Sequence, residues 1–242
     1  MKKSFFFLIL SLLVFLLLFV FLESLRLRGP EYHYRINDSG SRLHRDNNPE
    51  IASKALRLKG EKLGIVITID LCPSSKPYEK KLFDALDAWG MKKGKSIPVY
   101  VCVAGKWIGK HPADLAAIKA YKHLKIVWVN HSYTHPVENG FLDNPKINFT
   151  SEVYVNYEYM QSYDLQPSKY FRFPGLVHNP ERLVQLQKMG FVNLDADAWL
   201  GKGQPIKDGS IILIHGNGNE SPLVVKEFIR FVKGYKGEIR SL

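Results

Sequence analysis

Short apolar runs alternate with longer amphipathic stretches from Gly64 to the C-terminus, and this alternation is the main guide to the fold. Strands are expected over 65–69, 97–103, 126–129, 170–173, 191–194 and 211–214, where β-branched and aromatic residues cluster between turn formers. Helices are expected over 77–89, 113–124, 150–163, 180–189 and 222–235, where apolar positions recur at helical spacing. Strands that alternate regularly with helices build a parallel sheet with helices outside, open or closed into a barrel. In such folds the chemistry gathers at the carboxyl ends of the strands.

The N-terminal region follows another pattern. Lys2 and Lys3 precede an 18-residue apolar run, Phe5 to Leu22, broken only by Ser11. That length is at the lower end of what spans a bilayer. Glu23-Ser24-Leu25-Arg26 follows without the small residues of a signal-peptide cleavage site, so residues 1–25 are expected to form a signal-anchor transmembrane helix; a cleaved, secreted form is the alternative. Residues 26–62 are polar, with Gly29-Pro30 and Asn47-Asn48-Pro49 as breakers, and suit a linker before a domain over 63–242. Basic residues after the run outnumber those before it, but long domains translocate largely regardless of charge. The charges thus fix no orientation, and the domain is expected outside the cytoplasm, tethered to the membrane, on the grounds of the chemistry read below. The formal charge of +11 is spread along the chain, and no nucleic-acid-binding module is recognisable, so nucleic acid is not an expected partner. Diffuse basicity suits an anionic envelope or membrane surface instead. Cys72 and Cys102 are the only cysteines, and they could pair or remain free buried thiols.

The most informative segment is Asn130-His131-Ser132-Tyr133-Thr134-His135-Pro136, directly after the third strand. Two histidines on one ion need ring nitrogens roughly 3–4 Å apart, because metal–nitrogen bonds are about 2 Å long. Four residues of extended strand would separate them by about 13 Å. A turn at the strand end would bring both onto one face. Other strand ends carry chemistry as well: Asp70, Arg172, the Asp195/Asp197/Trp199 segment, and His215. A carboxylate, an arginine, further acids and three histidines on one rim point to a metal-assisted site.

These blocks resemble, in order and spacing, the polysaccharide deacetylases of the NodB-homology family: Thr68-Ile69-Asp70-Leu71-Cys72-Pro73, His131-Ser132-Tyr133-Thr134-His135-Pro136, Arg172-Phe173-Pro174-Gly175, Asp195 to Trp199, and Leu213-Ile214-His215. The resemblance implies a distorted (β/α) barrel of about seven strands and removal of N-acetyl groups from a glycan, with a divalent ion, zinc first and cobalt or nickel next. It assigns His131 and His135 to the metal, Asp70 to the general base and Arg172 to its orientation. His215 becomes the general acid, with Asp197, or else Asp195, holding its tautomer. Trp199, Leu213, Pro174 and Gly175 would line the substrate groove. The family's first block usually has two consecutive aspartates, and here the second, a metal ligand, is Leu71. Asp70, Cys72 or a water could fill that place, with Asp70 or water expected. A silent, membrane-tethered glycan-binding module is the alternative function, and hydrolysis of a non-glycan amide or ester a third.

Overall fold

The structure is a computed structural model of the chain, and it describes residues 64–137, 144 and 146–242. The expected anchor and linker lie outside these residues. Among the described residues no helix is long and apolar enough to cross a membrane.

Seven strands form one parallel sheet: β1 (Val66–Leu71), β2 (Ile97–Val103), β3 (Leu124–Asn130), β4 (Pro167–Phe171), β5 (Val192–Asn193), β6 (Ala198–Trp199) and β7 (Ile211–His215). Their order is β5-β4-β3-β2-β1-β7-β6, so the two edge strands are consecutive in sequence. Laid flat, seven strands at about 4.8 Å spacing would put those edges about 29 Å apart. The link from Asn193 to Ala198 reaches at most about 18 Å. The sheet must therefore curl into a barrel, with a seam between β5 and β6. Backbone bonds secure both sides of the seam, Leu194 N to Phe171 O (2.8 Å) and Asp197 N to Ile211 O (3.1 Å).

Helices α1 (Lys80–Lys92), α2 (Gly105–Lys110), α3 (Pro112–Lys119), α4 (Phe149–Ser162), α5 (Pro180–Lys188) and α6 (Pro222–Gly234) accompany the strands. Sequence chemistry starts several of them. The side chains of Asn148 and Asn179 accept bonds from Ser151 N and Arg182 N at the heads of α4 and α5. Pro112, Pro180 and Pro222 occupy first turns, where the missing N–H costs nothing. On α1, Leu82, Phe83, Leu86 and Trp89 share the buried face.

Strand alternation then divides the core in two. Ile67, Ile69, Leu71, Val99, Val101 and Val103 pack outward with Phe83, Leu86 and Trp107 beneath the helices. Val66, Tyr100, Cys102, Val129, Tyr170, Leu194 and Ile211 fill the barrel interior. Leu71 is fully buried in the outer layer, so the residue at the missing aspartate's position belongs to the apolar core. Cys72 and Cys102 are both free thiols. The helix expected over 113–124 stops at Lys119, the strand expected over 170–173 runs over Pro167–Phe171, and two further elements have no counterpart among the expected ones. α2 has two glycines in six residues, which hides a helix from periodicity, and β6 is a two-residue strand in a segment that reads as loop.

Candidate active site

The barrel mouth is built from β1 outward. Asp70 precedes the last residue of β1, and its register partner on β7 is His215. Arg172 follows β4 directly and is fully buried. Its Nη1 donates to both oxygens of Asp70 (3.2 and 3.4 Å), its Nη2 to Thr68 Oγ1 (3.0 Å) and its Nε to Leu194 O. Burial alone would raise the Asp70 pKa, but Arg172 foremost, with His131 and His215, holds it below the ordinary value. The carboxylate therefore stays ionised inside the protein.

Beyond β3 the chain turns sharply. Ser132 (φ 63°) and His135 (φ 59°) both adopt the left-handed conformation, which few non-glycine residues do. Neighbouring groups hold the turn in place. Asn130 Oδ1 accepts from Ser132 N (3.0 Å), Ser132 Oγ accepts from His135 N (3.1 Å), and Glu152 on α4 binds Thr134 through both carboxylate oxygens. The loop carbonyls of Ser132 and Tyr133 accept from Gly105 N and Lys106 N at the head of α2. A side chain at Gly105 would put its Cβ 2.2 Å from the Tyr133 ring, so Gly105→Ala is expected to displace this turn and lower the melting temperature. Thermal unfolding beside wild type checks this; an unchanged midpoint would contradict it.

The turn brings the two histidines together. His135 Nε2 lies 3.1 Å from His131 Nε2, and Cys72 Sγ lies 3.6 Å from the same His131 nitrogen. His131 Nδ1–H donates to the carbonyl of Arg172 (2.8 Å), which leaves Nε2 as the bare lone pair. Burial holds both imidazoles below their ordinary pKa, His135 at about 3 with His131 adding to the effect. Both rings are neutral donors, as metal ligation requires. One ring nitrogen from each histidine and the thiol sulfur all lie within 4.8 Å of one another. Asp70 Oδ2 stands 3.7 Å from His131 Nε2, but Arg172 already engages that carboxylate. Cys72 Sγ thus joins the histidine pair in one group of potential ligand atoms, with Asp70 at a similar distance from His131. Asp70 and Cys72 lie two apart and share the inner face, whereas Leu71 lies on the outer one.

His215 also has an unexpected partner. Glu220 Oε2 accepts from His215 N (3.3 Å) and sits 3.1 Å from its Nδ1. Burial would lower the His215 pKa, but the Glu220 bond and the charge of Asp70 raise it overall. Asp197, expected in this role, instead accepts from Ile211 N (2.8 Å) at the opposite end of β7. Four residues of strand, about 13 Å, separate Ile211 from His215, so Asp197 clasps the seam and does not reach the imidazole. Asp195 Oδ2 pairs with His178 (3.2 Å). Trp199 stands beside His215 with ring centroids 5.9 Å apart. Leu213 is buried two residues below His215 on the same strand. Pro174 is buried and Gly175 exposed in a short 3-10 turn directly after Arg172 and Phe173.

The family model for polysaccharide deacetylase matches residues 58–194, more than half of the chain. The chain belongs to the polysaccharide deacetylase family. The deacetylase fold is also that of a family 4 carbohydrate esterase from Bacillus anthracis, with 20% identity, TM-score 0.59, and 79% of this chain and 88% of that one covered. The Bc1960 peptidoglycan N-acetylglucosamine deacetylase gives 18% identity and TM-score 0.56 over 75% of this chain and 87% of its own. A third neighbour, BA3943 from Bacillus anthracis, is described as a CE4 family pseudoenzyme (13% identity, TM-score 0.54, 75% and 64% covered). In this chain His215 and Glu220 lie beyond the matched segment; β7 carries His215 to the same rim, and Glu220 follows in the turn after it.

Proposed function

We propose that this protein is a metal-dependent hydrolase that removes N-acetyl groups from an envelope polysaccharide of the peptidoglycan class. The observation that carries this reading is the register pairing of an ionised Asp70 with His215, beside two neutral, facing histidines. The donor set fits a divalent ion: uncharged imidazoles with ring nitrogens 3.1 Å apart. His131 and His135 would hold it, and zinc, or else cobalt or nickel, would polarise the acetamide carbonyl and the attacking water there.

The remaining chemistry belongs to the chain. Asp70 takes the proton of the attacking water, and Arg172 keeps that carboxylate ionised and oriented. The water oxygen bonds to the acetyl carbon, the carbon–nitrogen bond breaks, and acetate leaves. His215, with Nδ1 turned to Glu220, supplies a proton to the departing amine from its other face. Trp199 and Leu213 supply apolar surface for the acetyl methyl group, and the turn at Pro174-Gly175 borders the groove. The apolar run at 5–22 supports a membrane-tethered, extracytoplasmic location, where such a glycan is found.

The full-length protein is expected to bind about one zinc per chain and to release acetate from an N-acetylated oligosaccharide, with His131→Ala losing the metal. Equal, near-zero metal in both proteins would remove the metal-enzyme reading. A second reading, a glycan-binding module without turnover, is favoured by one observation, the burial of Leu71 where the family pattern has a carboxylate. Glycan binding without acetate release in added zinc, cobalt or nickel would select it.

Glu220→Gln tests the acid separately. His215 must be protonated to act, and its raised pKa extends activity to higher pH. Three charged groups bear on the ring: Glu220, Asp70 and the opposing Arg172. Removing the Glu220 charge lowers that pKa, so the alkaline limb of the kcat profile should move toward acid. An unmoved limb would detach Glu220 from the reaction.

A further inference from the structure

We propose that Cys72 is the third protein ligand of a thiolate–imidazole–imidazole site that selects zinc or cobalt over harder divalent cations. The proposal rests on the metal-dependent reading above and deepens it. A tetrahedral ion with bonds of about 2.05 Å to nitrogen and 2.3 Å to sulfur sets its ligand atoms about 3.3 Å (N···N) and 3.6 Å (N···S) apart. The observed separations are 3.1 Å for His131 Nε2 to His135 Nε2 and 3.6 Å for His131 Nε2 to Cys72 Sγ. Two of the three separations match one coordination sphere, and all three atoms lie within 4.8 Å of one another.

Backbone direction explains why the sulfur is there. β1 alternates, with Val66 in the barrel interior and Ile67, Ile69 and Leu71 in the outer layer. Asp70 and Cys72 continue the inner face, one committed to Arg172 and the other beside the histidines. The carbonyl of Cys72 accepts from Asn217 Nδ2 (3.0 Å), which fixes the residue after the strand ends. Cys102 is not grouped with the histidine pair; it packs among Val66, Tyr100 and Val129 in the barrel interior and faces Asp70.

Coordination replaces the Sγ–H bond with a sulfur–metal bond and releases one proton to solvent. A thiolate beside two imidazoles is a soft donor set, suited to zinc and cobalt and poorly matched to magnesium or manganese. In effect, sulfur from residue 72 takes over the position that a carboxylate from residue 71 would serve.

Cobalt(II) added to the metal-free full-length protein is the direct probe. Wild type is expected to bind about one equivalent, with tetrahedral d–d bands in the visible and a thiolate-to-cobalt charge-transfer band in the near ultraviolet. Cys72→Ser should retain d–d absorption and lose the charge-transfer band, with zinc affinity falling by more than the roughly 10–100-fold that loss of an outer-shell partner costs. Cys72→Asp, a second variant that keeps a ligand, should bind cobalt without that band and accept manganese more readily than wild type. Cobalt bound by wild type without the band, or a band surviving in Cys72→Ser, would overturn the sulfur ligand and leave the metal-dependent reading standing. No uptake of cobalt or zinc by wild type would overturn both.

Discussion

His215→Ala is expected to lower kcat about 10²–10⁴-fold, the usual contribution of a positioned general acid, while bound metal and the folded structure stay unchanged. The imidazole is partly exposed, its side chain 25% accessible, so truncation leaves no large internal void. It is not among the three grouped ligand residues, which is why metal content should be insensitive. Its position, level with Asp70 on the neighbouring strand, allows base and acid to serve one bond from adjacent sites. Steady-state acetate release together with metal analysis checks this. Undiminished turnover would remove His215 from proton transfer, and loss of metal alongside activity would reassign it to the ion.

Arg172→Met is expected to cost about 3–5 kcal/mol of folding stability, the range for breaking a buried ion pair from one side. The guanidinium is wholly enclosed and bonds Asp70, Thr68 and the carbonyl of Leu194. Methionine fills much of the volume but leaves Asp70 charged, buried and without its main partner. Adding Asp70→Asn should recover part of the loss, because the orphaned charge is then gone. Arg172→Lys should not substitute well, since an ammonium cannot span three acceptors that a planar fork reaches together. Urea denaturation of the set provides the measurement, and a loss below about 1 kcal/mol, the scale of an exposed pair, would show that the arginine is not integral to the core.

Much of this site was legible because its residues end strands, and strand ends in parallel α/β folds face one rim. Asp70, His131, His135, Arg172 and His215 could be located from apolar runs alone. Glu220 could not, since it follows the turn Gly216-Asn217-Gly218-Asn219 and depends on how that turn folds back. An acid five residues after a strand-end histidine was the available signal. Asp197 follows the expected strand at 191–194, and nothing in the sequence marks the separate strand β6 after it. The chain crosses the seam there, and Asp197 meets the start of β7. Cys72 carried a clearer clue: period-two alternation puts residue 72 on the same face as Asp70, whatever residue 71 is. The barrel closure was hidden for a different reason, since two-residue strands have no periodicity to detect.

The strand order also divides the site by when it can form. β1, β2 and β3 pair with their sequence neighbours, and those three strands carry or lead into Cys72, His131 and His135. Asp70 meets His215 only when β7 returns to pair with β1, across about 145 residues of chain, and that loop must close before the contact gives anything back. The proposed metal ligands and proton donor thus belong to contacts of very different range. A chain folded only through β3 would lack Glu152 and the Arg172 carbonyl, which hold the histidine turn and His131 in place, as well as the histidine proposed to release the amine.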